Sequence, residues 1–93
     1  MMNFNPIIRC VDGFEMSVQA HDGSYCQRNT AGDLLTVECG FPTTTPKTAE
    51  LRNYAELCGT DDYTETVYGF VPVEVVQAEL DAHGGVTIGC LPS

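Results

Sequence analysis

The chain has 93 residues, enough for one domain that buries roughly 60% of its unfolded surface and too few to enclose a substrate cleft between two domains. Its 13 acidic residues stand against Arg9, Arg28, Lys47 and Arg52, and the formal net charge of −9 disfavours direct binding to DNA or RNA. An apolar fraction of 43% with a charged fraction of only 18% excludes a disordered acidic tail.

The start, MMNFNPII, lacks a basic segment followed by an apolar core, and no apolar run reaches membrane-spanning length. A soluble cytoplasmic protein with no membrane partner is expected. Cys10, Cys26, Cys39, Cys58 and Cys90 are odd in number and form no C-x-x-C pair, so they read as free thiols, mostly small buried hydrophobes.

In chain order, Asp12-Gly13 separates two apolar runs and predicts a hairpin with a two-residue type I′ turn. In that register Val11 faces Phe14 and Ile7 faces Val18, which puts Arg9 on the same face as Met16. Arg9 is the misfit there, its stem covering the sheet while its guanidinium reaches the edge. The second strand alternates, with Phe14, Met16, Val18 and Ala20 on the core side. From His21 to Asp33 the periodicity stops, and a long loop holding Tyr25, Cys26 and Arg28 is expected.

LLTVECGF resumes the alternation as a third strand, with Leu35, Val37, Cys39 and Phe41 on one face. A first helix follows: Thr45 caps it, Pro46 takes its first position, Leu51, Tyr54, Ala55 and Cys58 recur at helical spacing, and Gly59 ends it. TDDYTET is an acidic surface loop carrying Asp61, Asp62 and Glu65, with Tyr63 exposed among them. TVYGFV has strand composition. VPVEVVQAELDAHGG predicts the second helix, with Pro72 near its start, Val73, Val76 and Leu80 on one stripe, and Gly84 at its stop. VTIGCL closes as a last strand. The order is ββ-loop-βαβαβ over residues 1–93: a single α+β domain with one small sheet, an N-terminal β-hairpin plus further strands, and two amphipathic helices on one face. Parallel strands flanking the second helix would require a right-handed crossover.

Sites for chemistry are sparse. His21, Cys26 and Cys39 lack the close ligand pairs of structural zinc, and nothing orders His21 as a base for Cys26. A metal- or thiol-dependent function in the His21 to Cys39 region is therefore the alternative to a binding role. Self-association through a sheet edge is a third reading. His83 at the end of its helix faces the helix dipole. Asp61, Asp62 and Glu65 lack the spacing of a calcium loop, and no glycine pattern cradles phosphate. No cofactor, metal or catalytic residue is expected, and the protein reads as a non-enzyme.

Together, FEMSVQA with Tyr25-Cys26, VECGFP and VYGFVPVEVVQAELDAHGG resemble a family of small uncharacterised proteins encoded by bacteriophages and prophages. The family pattern runs S-V-Q-A, Y-C-x-P-R, E-V-G-F-P, V-P-V-E-V-V and H-G-G over most of the chain. The loop departs from it, reading Tyr25-Cys26-Gln27-Arg28 without the proline, and Cys39 stands where the family has valine, which fits a core residue. The resemblance implies a small accessory protein in the cytoplasm of an infected bacterium. It acts by binding a host protein or complex with a basic surface, as an inhibitor of an anti-phage defence such as CRISPR-Cas. The expected contact residues are Asp61, Asp62, Tyr63 and Glu65, with Tyr25 and Arg28 from the long loop.

Overall fold

The structure is a computed structural model that describes residues 5–20 and 26–92. Eight elements follow in order: β1 (Ile8–Cys10), β2 (Glu15–Gln19), β3 (Gln27–Arg28), β4 (Leu34–Gly40), α1 (Ala49–Arg52), β5 (Val67–Pro72), α2 (Val73–Ala82) and β6 (Val86–Ile88). All strand pairs are antiparallel, and they form a single six-stranded sheet with two helices, the α+β architecture expected.

β4 is the strand on which the sheet is assembled. Thr36 faces both Gln27 and Pro72, and Gly40 faces both Ser17 and Val67. A strand has only two edges, so β5 takes one edge of β4 while β2 and β3 share the other. Across the sheet the order is β5, β4, β2, β1, β6. The strands flanking α2 thus end on opposite edges, and no parallel crossover is formed.

The N-terminal hairpin is one residue out of the expected register. Ile8 faces Met16 and Arg9 faces Glu15, so the connection is the three-residue loop Val11 to Gly13, with Cys10 N–H donating to Phe14 O at 2.8 Å. Only Gly13 takes positive φ, at 91°, as in a type I turn closed by a left-handed glycine. Side chains alternate with a period of two, so this slip exchanges the faces of β1. Ile8 and Cys10 are buried, while Ile7 and Val11 are exposed. Arg9 turns outward as well and meets Glu15 directly opposite, Nε to Oε2 at 2.6 Å. The misfit was a symptom of the wrong register.

One core results. Phe14, Met16 and Val18 of the hairpin pack with Val37 and Cys39 of β4, Tyr68 and Val71 of β5, and Leu51, Val76 and Leu80 of the helices. Each large aliphatic side chain so buried contributes about 1.5–3 kcal/mol. The inward stripe of β4 is shorter than expected, because Leu35 and Phe41 at its ends are exposed. Between the pairs Val37–Val71 and Cys39–Tyr68, one residue of β4, Glu38, opposes two of β5, Gly69 and Phe70. The bulge at Gly69-Phe70, where Phe70 has φ 53°, brings both Tyr68 and Val71 inside.

α1 is far shorter than the expected helix. Its cap is Thr48, whose hydroxyl accepts from Leu51 N–H at 3.3 Å, and it ends at Arg52. Beyond it the chain is drawn onto β5, where Ala55 bridges Tyr68 and Glu56 N–H donates to Val67 O at 3.0 Å. Sheet hydrogen bonds there replace helical ones. α2 follows expectation, with Val76 and Leu80 buried and Gly84 at φ 91° past its end. Part of the expected long loop is also ordered as sheet: β3 pairs with β4, and Asn29 Oδ1 closes the turn by accepting from Ala31 and Asp33 N–H, both at 2.9 Å. Among the described residues no helix is long and apolar enough to cross a membrane.

Candidate functional site

The acidic loop between α1 and β5 is held along its length. After the Ala55 bridge and the Glu56 bond, Leu57 N–H donates to Thr66 Oγ1 at 3.1 Å. Farther out, the buried Tyr68 hydroxyl donates to Tyr63 O. Tyr54 and Tyr63 pack their rings against the core, so Tyr63 is half-buried rather than exposed. Inside the loop, Asp62 Oδ1 accepts from the Thr64 amide at 2.9 Å and the Thr64 hydroxyl at 2.7 Å. Those two bonds, the hydroxyl first, hold the Asp62 carboxyl below its ordinary value of 3.8.

α1 and the loop after it therefore present a group of carboxylates, of which Asp62 is held by Thr64. Glu50, Glu56, Asp61, Asp62 and Glu65 are all exposed, and among the described residues none is in an ion pair. The single base in this stretch, Arg52, donates from Nη1 to Pro46 O at 2.6 Å. Lys47 and Arg9 are occupied elsewhere, beside Asp12 and Glu15.

The other expected contact residues are not brought into this loop. Arg28 lies on β3 and donates from Nη1 to Gly32 O at 3.0 Å. Tyr25 and His21 fall outside the described residues. Cys26 is half-buried, whereas Cys39 is fully buried in the core. Burial, reinforced by Glu38, pushes the Cys39 thiol far above its ordinary value of 9.0, so it stays protonated and apolar. Among the described residues no three His, Cys, Asp or Glu side chains converge as a metal site.

A polar cluster that sequence reasoning missed lies at the hairpin tip. His83 is 3% exposed and stacks on Phe14 with ring centroids 3.8 Å apart. Its Nδ1 lies 2.7 Å from Asp12 Oδ2, and its Nε2 lies 2.7 Å from Oε2 of the fully buried Glu79. Glu79 also accepts from the Lys47 amide at 2.7 Å, the Thr48 amide at 2.9 Å and the Thr48 hydroxyl at 2.8 Å. Burial pushes its carboxyl up, but these donors together outweigh burial and hold it below its ordinary value of 4.5. Asp12 is likewise lowered, first by the Phe14 amide and then by His83 and Lys47.

Both ring nitrogens of His83 are thus engaged by carboxylate oxygens. Lys47 Nζ lies 3.5 Å from Asp12 Oδ2 at the rim of the cluster. His83 is the C-cap residue of α2, at the helix end where it was expected, and its ring contacts two carboxylates that the expectation did not include. Both nitrogens have protein partners, and the ring borders a groove of about 450 Å³ between the hairpin tip and Thr43 to Lys47. The cluster is a joint. Val11 N–H donates to Gly85 O at 3.0 Å and Asp12 N–H to His83 O at 3.2 Å, and a Cβ on Gly84 would come within 2.9 Å of Val11 Cβ. His83-Gly84-Gly85 is the seat on which the hairpin tip rests. The i,i+4 pair Glu79 and His83 on one helix was the signal in the sequence that pointed to it.

Comparison with protein-family models, with curated proteins and with solved structures finds no match for the chain.

Proposed function

We propose that the protein acts by docking its acidic loop, residues 53–66, onto a basic surface of another protein. The observation that carries this reading is the exposure of Asp61, Asp62 and Glu65 on a loop whose backbone is anchored to β5 through Ala55, Glu56 and Tyr63. A loop already ordered when free loses little entropy on binding, and uncompensated charge accelerates encounter with a partner of opposite sign. Half-buried Tyr63 serves as the anchor of the contact, while Arg28 on β3 lies across β4 from this loop and is no part of it.

The resemblance to phage-encoded proteins supplies the setting: a host defence complex whose nucleic-acid channel is basic, CRISPR-Cas surveillance complexes being the most concrete instance, met in the cytoplasm of an infected bacterium. Occupying such a channel inhibits the complex without any chemistry. The test is affinity capture of the tagged protein from a bacterial host, beside a variant carrying Asp61→Ser, Asp62→Ser and Glu65→Ser. The wild type should retain a nucleic-acid-binding effector and release it in high salt, and the variant should bind that effector about tenfold more weakly. Equal capture by both proteins rules the loop out as the contact.

A further inference from the structure

We propose that His83 is a proton-operated latch on the hairpin tip: when the ring gives up a proton it keeps Glu79, lets Asp12 go, and loosens the tip from its seat. The geometry that carries this is the double contact, Nδ1 to Asp12 Oδ2 and Nε2 to Glu79 Oε2, each at 2.7 Å. An ionised carboxylate only accepts, so each contact is a hydrogen bond only when its ring nitrogen carries a proton. A neutral imidazole carries one such proton in all, and it sets a bare lone pair against one of the two oxygens. That approach is then repulsive, and one partner moves.

The surroundings decide which. Glu79 is fully buried and held by three further donors, the Lys47 amide on Oε2 and the Thr48 amide and hydroxyl on Oε1. The ring itself is buried and stacked on Phe14, so it does not swing away. Asp12 stands on the three-residue hairpin loop with its side chain 39% exposed, and its Oδ2 has Lys47 Nζ at 3.5 Å to turn toward. The proton therefore stays on Nε2 for Glu79, and Asp12 is released. Among the described residues, the tip then keeps two backbone bonds to its seat, Val11 N–H to Gly85 O and Asp12 N–H to His83 O. The groove of about 450 Å³ has this tip as one wall, so the latch sets its width.

The other titratable groups around the ring do not contest its proton. The Asp12 and Glu79 carboxyls are held ionised by their amide and hydroxyl donors. From β1, the buried Cys10 thiol is pushed above its ordinary value of 9.0, first by burial and then by Asp12, Glu79 and Asp81, so it stays protonated. Lys47 approaches from the segment ahead of α1, and Asp81 of α2 is bonded to Gln77 Nε2 at 3.0 Å.

The test is NMR hydrogen exchange from about pH 5.5 to about pH 8.5, corrected for the intrinsic pH dependence of exchange, beside the tautomer of His83 read from its ring nitrogens. As the ring loses a proton it should keep the one on Nε2. Protection of the Val11 and Asp12 amides should fall about tenfold with the same midpoint. The Lys47 and Thr48 amides stay on Glu79 and should keep their protection, which separates release of the tip from unfolding of the domain. Asp12→Asn offers Nδ1 either an oxygen or an NH2 group, so in that variant the tip amides should lose their response to pH. A ring that keeps both protons to the end of the range overturns the proposal, as does a neutral ring protonated on Nδ1. Tip amides that stay protected while the ring titrates, or that respond equally in Asp12→Asn, overturn it too.

Discussion

With Asp12 on one ring nitrogen and Glu79 on the other, His83 ties the hairpin tip to α2 through one buried ring. Glu79→Gln keeps the shape but turns an amide N–H donor toward groups that themselves donate, and breaking a buried pair in this way should cost about 3 kcal/mol in urea unfolding at neutral pH. The pH dependence has a definite sign. The folded-state carboxyls of Glu79 and Asp12 lie below their ordinary values of 4.5 and 3.8, so their stabilisation is present above those values and is lost as pH falls through the lower folded ones. Thermal melts of the wild type should fall steeply below about pH 4.5, and those of Glu79→Gln should fall less steeply. Little of this cluster was legible beforehand. Asp12 and His83 stand 71 residues apart, and Asp12 was fully accounted for as a turn residue. Arg9 taught the reverse lesson: a charged residue forced onto a core face signalled that the pairing was off by one.

The elements that sequence periodicity found were those whose packing agrees with it. α2 keeps one apolar stripe against the core, and β2 alternates cleanly, so both lie where expected. The expected first helix failed because Leu51, Tyr54 and Ala55 do reach the core, yet Ala55 does so as a sheet bridge. Helical spacing alone does not separate a helix from a turn followed by an extended residue. The acidic loop was legible as composition, whereas its anchoring depends on Tyr68, which reads as an ordinary strand residue. Tyr68→Phe removes the hydroxyl bond to Tyr63 O and should cost about 1 kcal/mol. It should also speed hydrogen exchange of the Glu65 amide, which now donates to Asp62 O, measured by mass spectrometry or NMR.

At the scale of the whole molecule, the acidic loop lies against β5, while Ile7, Val11, Val86 and Ile88 are exposed around β1 and β6. The α+β class and the number of helices followed from the pattern of periods, but strand order did not, because antiparallel pairing of β4 with β2, β3 and β5 is set by contacts between distant segments. A chain of net charge −9 also repels itself when compact. Raising salt from low to physiological ionic strength should therefore raise the melting temperature by about 2–5 °C, an effect that calorimetry reads directly.

The closure of β1 by β6 fixes the order of events at the ribosome. Synthesis delivers the hairpin first, yet the outer edge of β1 is covered only when Ile88 has emerged, and the tip is seated only when His83 has. A nascent chain that has reached Ala82 carries the sheet's remaining strands and both helices with one flank still open, and during that interval Ile8 and Cys10 depend on whatever meets them first.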